Sequence, residues 1–217
     1  MKIIIKENNE LDSSLCSELI ADAESGVRNL FVPAGGTPEG FYQQLASRSE
    51  PVWDTFKFFQ VDDILNGPKA REFENFFKIN LKNRMSQLVG VEEDSFPKGK
   101  FSSFLGLGVN GHVAFHEPHL PKHFTKGCVE LGPRTLDYLG LDKGTWGITY
   151  GLGVFLQSES IYLMVKGHHK LEILQRFLGD DSSVPAVELK KHKGLKLFVD
   201  EETWALLGNE FKSLRAS

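Results

Sequence analysis

The chain has 217 residues, a net charge of −4 at pH 7 and 41% hydrophobic residues, enough for one α/β domain with a sizeable core. No basic stripe is present, which argues against nucleic acid as the main partner, and Cys16 and Cys128 are too few for a disulfide framework or a zinc cluster. The longest apolar run near the N-terminus is Ile3-Ile4-Ile5, so no leader, membrane span or membrane partner is expected and the expected compartment is cytoplasmic.

In chain order, residues 2–6 read as a short edge strand. Over 11–23 the side chains of Leu11, Leu15, Leu19 and Ile20 recur at helical spacing and run towards Gly26. A buried strand over 29–32 runs into Pro33-Ala-Gly-Gly-Thr-Pro38, and 39–46 is a helix with Phe41, Tyr42 and Leu45 on one face. The strand over 56–61 ends at Asp62-Asp63, and 71–88 reads as one long helix. A strand over 101–107 feeds a glycine-rich loop, and from Pro118 to about Gly127 the chain is polar and irregular. Strands over 147–150 and 161–165 flank a helical turn around 154–156. A helix over 170–177, a strand over 195–199, a helix over 201–207 and a loose tail after Gly208 complete the chain. Strands alternating with helices predict one domain over 1–217 of the α/β class: a single doubly wound, mostly parallel sheet with helices on both faces.

In such a sheet the segments that follow the strands share one edge and converge, although they lie far apart in sequence. Four of them carry polar residues suited to chemistry. Gly35-Gly36-Thr37-Pro38 precedes a helix, so consecutive backbone N–H groups and a hydroxyl can cradle a phosphate. Lys170, at the start of a later helix, adds a point charge for the same anion. Asp62 and Asp63 point to opposite sides if strand geometry persists, so one faces the site, where burial raises its pKa and makes it a general base. The fourth segment, Gly106-Leu-Gly-Val-Asn-Gly-His-Val-Ala-Phe-His-Glu-Pro118, places His112 and Glu117 after three glycines that permit a tight backbone path.

Two other readings of that loop are weaker. Gly106-x-Gly108-x-x-Gly111 matches the dinucleotide fingerprint, but Pro118 leaves no room for the long helix that the fingerprint must open. His112, His116 and His119 have a spacing that evokes metal, but Pro118 breaks the helical frame that would align the rings. The residues therefore call for no metal and no organic cofactor. A phosphate cradle, a carboxylate base and a His–Glu pair together point to proton transfer on a small-molecule sugar phosphate.

At these residues, and over about 31–199, the sequence resembles the superfamily of glucosamine-6-phosphate isomerase/deaminases and 6-phosphogluconolactonases. Pro33-Ala-Gly-Gly-Thr-Pro38 is similar to the family's phosphate loop, and Phe59-Gln-Val-Asp-Asp63 to its Met-Asp-Glu segment. Gly111-His-Val-Ala-Phe-His-Glu-Pro118 is similar to the deaminase signature Gly-His-Ile-Ala-Phe-Asn-Glu-Pro. Gly147-Ile-Thr-Tyr-Gly-Leu152 and Val165-Lys-Gly-His-His-Lys170 follow in the family's order. The lactonase branch has Gly-His-Thr-Ala without Phe-x-Glu-Pro, so the deaminase branch fits better. The resemblance implies a hexosamine 6-phosphate isomerase/deaminase in which Asp62 moves a proton between C1 and C2, while His112 assists ring opening and Glu117 orients it. It also implies that Gly35, Gly36, Thr37 and Lys170 hold the phosphate, with Arg134 a weaker candidate. Asn110 stands where the family's catalytic Asp is usual, His116 where Asn is usual, and the stretch between Leu88 and Phe101 is too short for a helix common in the family. The rival expectations are a lactonase in which His112 activates water, and a sugar-phosphate sensor without turnover.

Overall fold

The structure is a computed structural model that describes residues 1–212 and Leu214. Its strands are β1 (Lys2–Lys6), β2 (Asn29–Val32), β3 (Lys57–Gln60), β4 (Asp62–Ile64), β5 (Leu88–Val89), β6 (Phe101–Gly106), β7 (Lys126–Glu130), β8 (Trp146–Tyr150), β9 (Ile161–Val165) and β10 (Leu195–Asp200). The α-helices are α1 (Asn8–Glu24), α2 (Glu39–Ser47), α3 (Glu72–Asn80), α4 (Pro133–Leu139), α5 (Leu152–Phe155), α6 (Leu171–Leu178), α7 (Glu201–Ala205) and α8 (Asn209–Lys212). The loose tail expected after Gly208 begins as α8; residues 213 and 215–217 lie outside the described residues. Among the described residues, no helix is long and apolar enough to cross a membrane.

Seven strands form the central sheet in the order β1-β10-β9-β6-β2-β3-β5, with every neighbouring pair parallel. Both faces of these strands are buried because successive side chains go to opposite sides. Leu30, Val32, Phe58 and Phe104 pack on one face against Leu15 and Leu19 of α1 and Phe41 and Leu45 of α2. Phe31, Phe59 and Leu105 pack on the other against Phe155 of α5, Phe177 of α6 and Trp204 of α7. The expected mostly parallel sheet with helices on both faces is thus present. After β2 the chain builds outwards through β3 and β5, then returns to the other side of β2 with β6, β9 and β10. That reversal opens a crevice at the carboxyl ends of β2 and β6, the place where such sheets take ligands.

Beside it lies a three-stranded antiparallel sheet, β4-β8-β7, which the alternation of elements did not announce. The strand read over 147–150 belongs here, and β7 begins inside the stretch read as irregular. The strand read over 56–61 leaves the parallel sheet after Gln60 and re-pairs as β4 with β8. A small core of Ile64, Phe115, Val129, Leu131 and Leu136 fills the space beneath it.

The single helix expected over 71–88 is not formed. α3 stops at Asn80, a 3-10 segment covers Lys82–Gln87, and Leu88-Val89 pairs with β3. Lys82 adopts a left-handed φ of 50°, which a continuous helix does not tolerate. The start of α3 is held from a distance by Asp63, whose carboxylate accepts from the backbone N–H groups of Phe73 at 3.1 Å and Glu74 at 2.9 Å. It also accepts from the N–H of Ile64 at 2.8 Å and from Gln60 Nε2 at 2.9 Å. Two of the otherwise unpaired N–H groups of the first helical turn are satisfied in this way.

Asp63→Ala is expected to strand three backbone donors and to cost the Gln60 amide one of its two acceptors, lowering the unfolding free energy by about 2–4 kcal/mol. Urea unfolding of the variant and wild type measures this, and a change below about 0.5 kcal/mol would show that water satisfies those donors instead.

Candidate active site

The crevice at the switch point holds a cavity of about 130 Å³. Its wall is contributed by the loop after β2 (Gly35, Gly36, Thr37), Asp62 of β4, the loop after β6 (Gly108, His112), Phe73 of α3, Thr135 and Tyr138 of α4, and Lys170. Four of the five expected phosphate residues, the expected base and the expected histidine therefore meet in one place. Gly35 has a φ of +105°, the left-handed conformation that glycine supplies, and it turns the chain from β2 towards α2. A wider open groove of about 860 Å³ lies on the outer side of Gly36. Glu7, Asp12, Glu39, Asp200, Glu201 and Glu202 line it, which makes it a poor receptor for an anion.

Asp62 and Asp63 divide as strand alternation requires. Asp63 is tied to α3, whereas the Asp62 carboxylate lines the cavity, 5% exposed, with no hydrogen bond or ion pair among the described residues. Burial, and then the neighbouring charge of Asp63, raises its pKa well above the ordinary carboxylate value. Lys170 is 4% exposed, and its ammonium makes no hydrogen bond or ion pair within the described residues. Its Nζ lies 5.0 Å from the centre of the Tyr138 ring. Burial pushes its pKa down to about 8. A buried cation without a counter-ion at the wall of a cavity has the chemistry to take an anion.

His112 is half-buried, and its pKa is pushed down to about 4. Burial is the main cause; the charge of Glu117 opposes it and that of Lys170 reinforces it. The imidazole is therefore neutral near pH 7. Its Cδ2–Nε2 edge lies against Gly108, where an added Cβ would come within 2.1 Å of Nε2, so only glycine leaves room for the ring.

Glu117 does not touch His112 directly. It is 1% exposed, and its carboxylate accepts from Asn110 Nδ2 at 2.9 Å, from Gly132 N at 3.2 Å and from Thr135 Oγ1 at 2.5 Å. Thr135 Oγ1 in turn lies 3.2 Å from His112 Nδ1, so the expected Glu–His pair is a Glu–Thr–His chain. Asn110 is not among the residues that line the cavity. Its Oδ1 accepts from the His112 N–H at 3.1 Å and its amide holds Glu117, so it braces the loop. An aspartate at 110 would set two carboxylates face to face there, whereas the asparagine amide donates to Glu117.

Arg134 is not brought into the site. It is exposed on α4, one residue from the inward-facing Thr135 and away from the cavity wall. His116 is 1% exposed, accepts from Leu152 N through Nδ1 at 3.2 Å and meets Phe124 edge-on, a packing role beside α5. Thr135, Tyr138 and Phe73 are the site residues that the sequence did not disclose. The only signal for the first two is Gly132-Pro133, a helix start, which places residues 135 and 138 one turn apart on the same face.

No family model matches the chain. It is 26% identical to the glucosamine-6-phosphate deaminase of Clostridium perfringens, over 95% of this chain and 100% of that protein. It is 24% identical to the glucosamine-6-phosphate deaminase of Lactococcus lactis subsp. cremoris, over 95% and 99%. Among solved structures, a monomeric glucosamine-6-phosphate deaminase superimposes with a TM-score of 0.77 at 21% identity, over 95% of this chain and 100% of that one. A 6-phosphogluconolactonase from Trypanosoma brucei superimposes with a TM-score of 0.75 at 14% identity, over 95% and 98%. In fold and sequence the chain is similar to the superfamily of glucosamine-6-phosphate deaminases and 6-phosphogluconolactonases. Within it, the chain stands closer to the deaminase branch.

His112 and His116 make stability depend on pH with a defined sign. The folded pKa values of His112 and His116 are about 4 against an ordinary 6.5, so between pH 4 and 6.5 the unfolded chain binds more protons and stability rises with pH. Asp62, with its pKa raised, contributes the opposite slope above the ordinary carboxylate range. His112→Gln and His116→Asn are each expected to flatten the rise in unfolding free energy between pH 4 and 6.5, while Asp62→Asn steepens it. Urea titrations at successive pH values read these slopes; a wild-type slope in both histidine variants would show that neither ring is kept neutral by the fold.

Proposed function

We propose that this protein is a hexosamine 6-phosphate isomerase/deaminase, converting an amino-sugar phosphate and water to a ketose phosphate and ammonia. The observation that carries this reading is the Asp62 carboxylate, buried and without a hydrogen-bond partner among the described residues, in the same small cavity as Lys170 and His112. The glycine loop and Lys170 take the phosphate, the loop through backbone N–H groups and the lysine through its charge. Neutral His112 serves ring opening at the sugar's ring oxygen and C1 hydroxyl. In the opened sugar Asp62 removes the C2 proton and returns it to C1, and the nitrogen leaves C2 as ammonia when water adds there. Burial raises the pKa of Asp62, and the ammonium of an amino sugar bound beside it would lower it again, towards the carboxylate that acts as base. No metal or organic cofactor enters this scheme.

The runner-up is a 6-phosphogluconolactonase, supported by the overlap with the trypanosomal lactonase fold and by a neutral imidazole able to activate water. A lactone needs no C2 base, so that reading leaves Asp62 without work. A sugar-phosphate sensor on the same fold is the third.

Glucosamine 6-phosphate, galactosamine 6-phosphate and 6-phosphogluconolactone offered to the purified protein separate the three, with ammonia and acid release followed. Ammonia is expected from at least one amino sugar, and Asp62→Asn is expected to cut it by about 100- to 10,000-fold with folding intact. Fast lactone hydrolysis that Asp62→Asn leaves unchanged, with no ammonia, overturns the deaminase in favour of the lactonase. A thermal shift with sugar phosphates and no turnover leaves the sensor.

Lys170→Ala is expected to raise KM with kcat held, because a phosphate far from the reacting carbons is bound alike in ground and transition states. Inorganic phosphate should inhibit this variant less well than wild type. Equal inhibition of the two proteins would remove Lys170 from the anion site.

A further inference from the structure

We propose that Thr135 is the positioning residue of this site: its hydroxyl, held by Glu117, fixes His112 in the Nδ1–H tautomer and leaves Nε2 as the free lone pair of the ring. The inference deepens the active-site reading and rests on it, but it is carried by the geometry of three side chains.

A hydroxyl has one proton. Oγ1 of Thr135 lies between Glu117 Oε1 at 2.5 Å and His112 Nδ1 at 3.2 Å. A carboxylate accepts and does not donate, so the hydroxyl proton goes to Glu117. What remains on Oγ1 is an acceptor, and its other neighbour must supply a proton. Nδ1 of His112 therefore carries N–H, and a neutral imidazole with N–H at Nδ1 has its lone pair at Nε2. The arrangement has no slack. Thr135 and Glu117 are each 1% exposed, so bulk water does not replace either partner. The second oxygen of Glu117 is engaged by Asn110 Nδ2, and Oε1 also takes Gly132 N, which fixes the carboxylate from both sides. An added Cβ at Gly132 would come within 2.9 Å of Oε2, so the helix start is seated directly on the carboxylate.

The order of the chain matters as much as its members. A carboxylate in direct contact with Nδ1 would fix the same tautomer but would also put its full charge against the ring. The interposed hydroxyl transmits orientation while Glu117 stays one side chain away. α4 thus contributes to the site twice on one face: Thr135 behind His112 and, one turn later, Tyr138 over Lys170.

Nitrogen-15 NMR of the histidine rings in the unliganded protein reads the tautomer directly, with His112 assigned by the signal lost in His112→Gln. The expected wild-type spectrum has His112 protonated at Nδ1 and bare at Nε2. Thr135→Ser should keep that spectrum and activity, whereas the isosteric Thr135→Val should move His112 towards the Nε2–H form. The same variant should lower kcat by about 10- to 100-fold with KM nearly unchanged, the range usual for loss of an orienting partner. An Nε2–H ring in wild type, or an unaltered tautomer in Thr135→Val, would overturn the proposal. If no amino sugar is turned over, the deaminase reading falls while the spectra still decide the role of Thr135. Should Thr135→Val fail to fold, the wild-type and Thr135→Ser spectra decide it, and a ring protonated at Nε2 in either one sinks it.

Discussion

Glu117 is a carboxylate placed almost wholly out of water, and such a group must be surrounded by donors or it destabilises the fold. Its three donors come from two separate stretches of chain: Asn110 from the glycine loop, and the Gly132 N–H and Thr135 hydroxyl from the start of α4. Satisfying one buried charge therefore fastens α4 to the loop that carries His112. The histidine, the ring over Lys170 and the wall of the cavity all inherit their positions from that fastening.

The paired aspartates show the same logic with the roles divided. β4 is three residues long, yet its pairing with β8 makes it a true strand, and alternation sends adjacent side chains to opposite sides. Asp63 spends its acceptor capacity on backbone N–H groups and so sets where α3 begins. Asp62, one residue earlier, has no such hydrogen-bond partner among the described residues and faces the cavity. One residue holds the architecture and the other is left unsatisfied.

Much of this was legible beforehand because the parallel sheet announces itself. Continuous apolar strands such as Leu30-Phe31-Val32 alternate with helical stripes, and the rule that ligands sit at the carboxyl edge then gathers Gly35, Gly36, Thr37, Asp62, His112 and Lys170. The antiparallel sheet was not legible because β7 and β8 contain glycine, lysine and exposed positions, and β4 is too short to show a period. The break in the expected helix over 71–88 depends on a left-handed lysine at 82, which side-chain periodicity does not register. Arg134 and Thr135 show the limit most plainly. Charge chemistry favours the arginine as an anion ligand, but the pitch of a seven-residue helix turns it to solvent and points the threonine inwards. Only the direction of the helix axis decides between neighbours, and that is a property of tertiary packing.

The ring of Tyr138 over Lys170 has a consequence for how ligands exchange. A buried ammonium is usually balanced by a carboxylate, and an arriving anion must then break a strong internal pair before it binds. Here the ammonium faces a π-cloud, an attraction of about 0.5–2 kcal/mol that carries no formal charge. Under the proposed role, an anion would reach Lys170 without displacing a carboxylate paired with it. Tyr138 is more than half exposed, so the ring that borders the ammonium also borders the solvent.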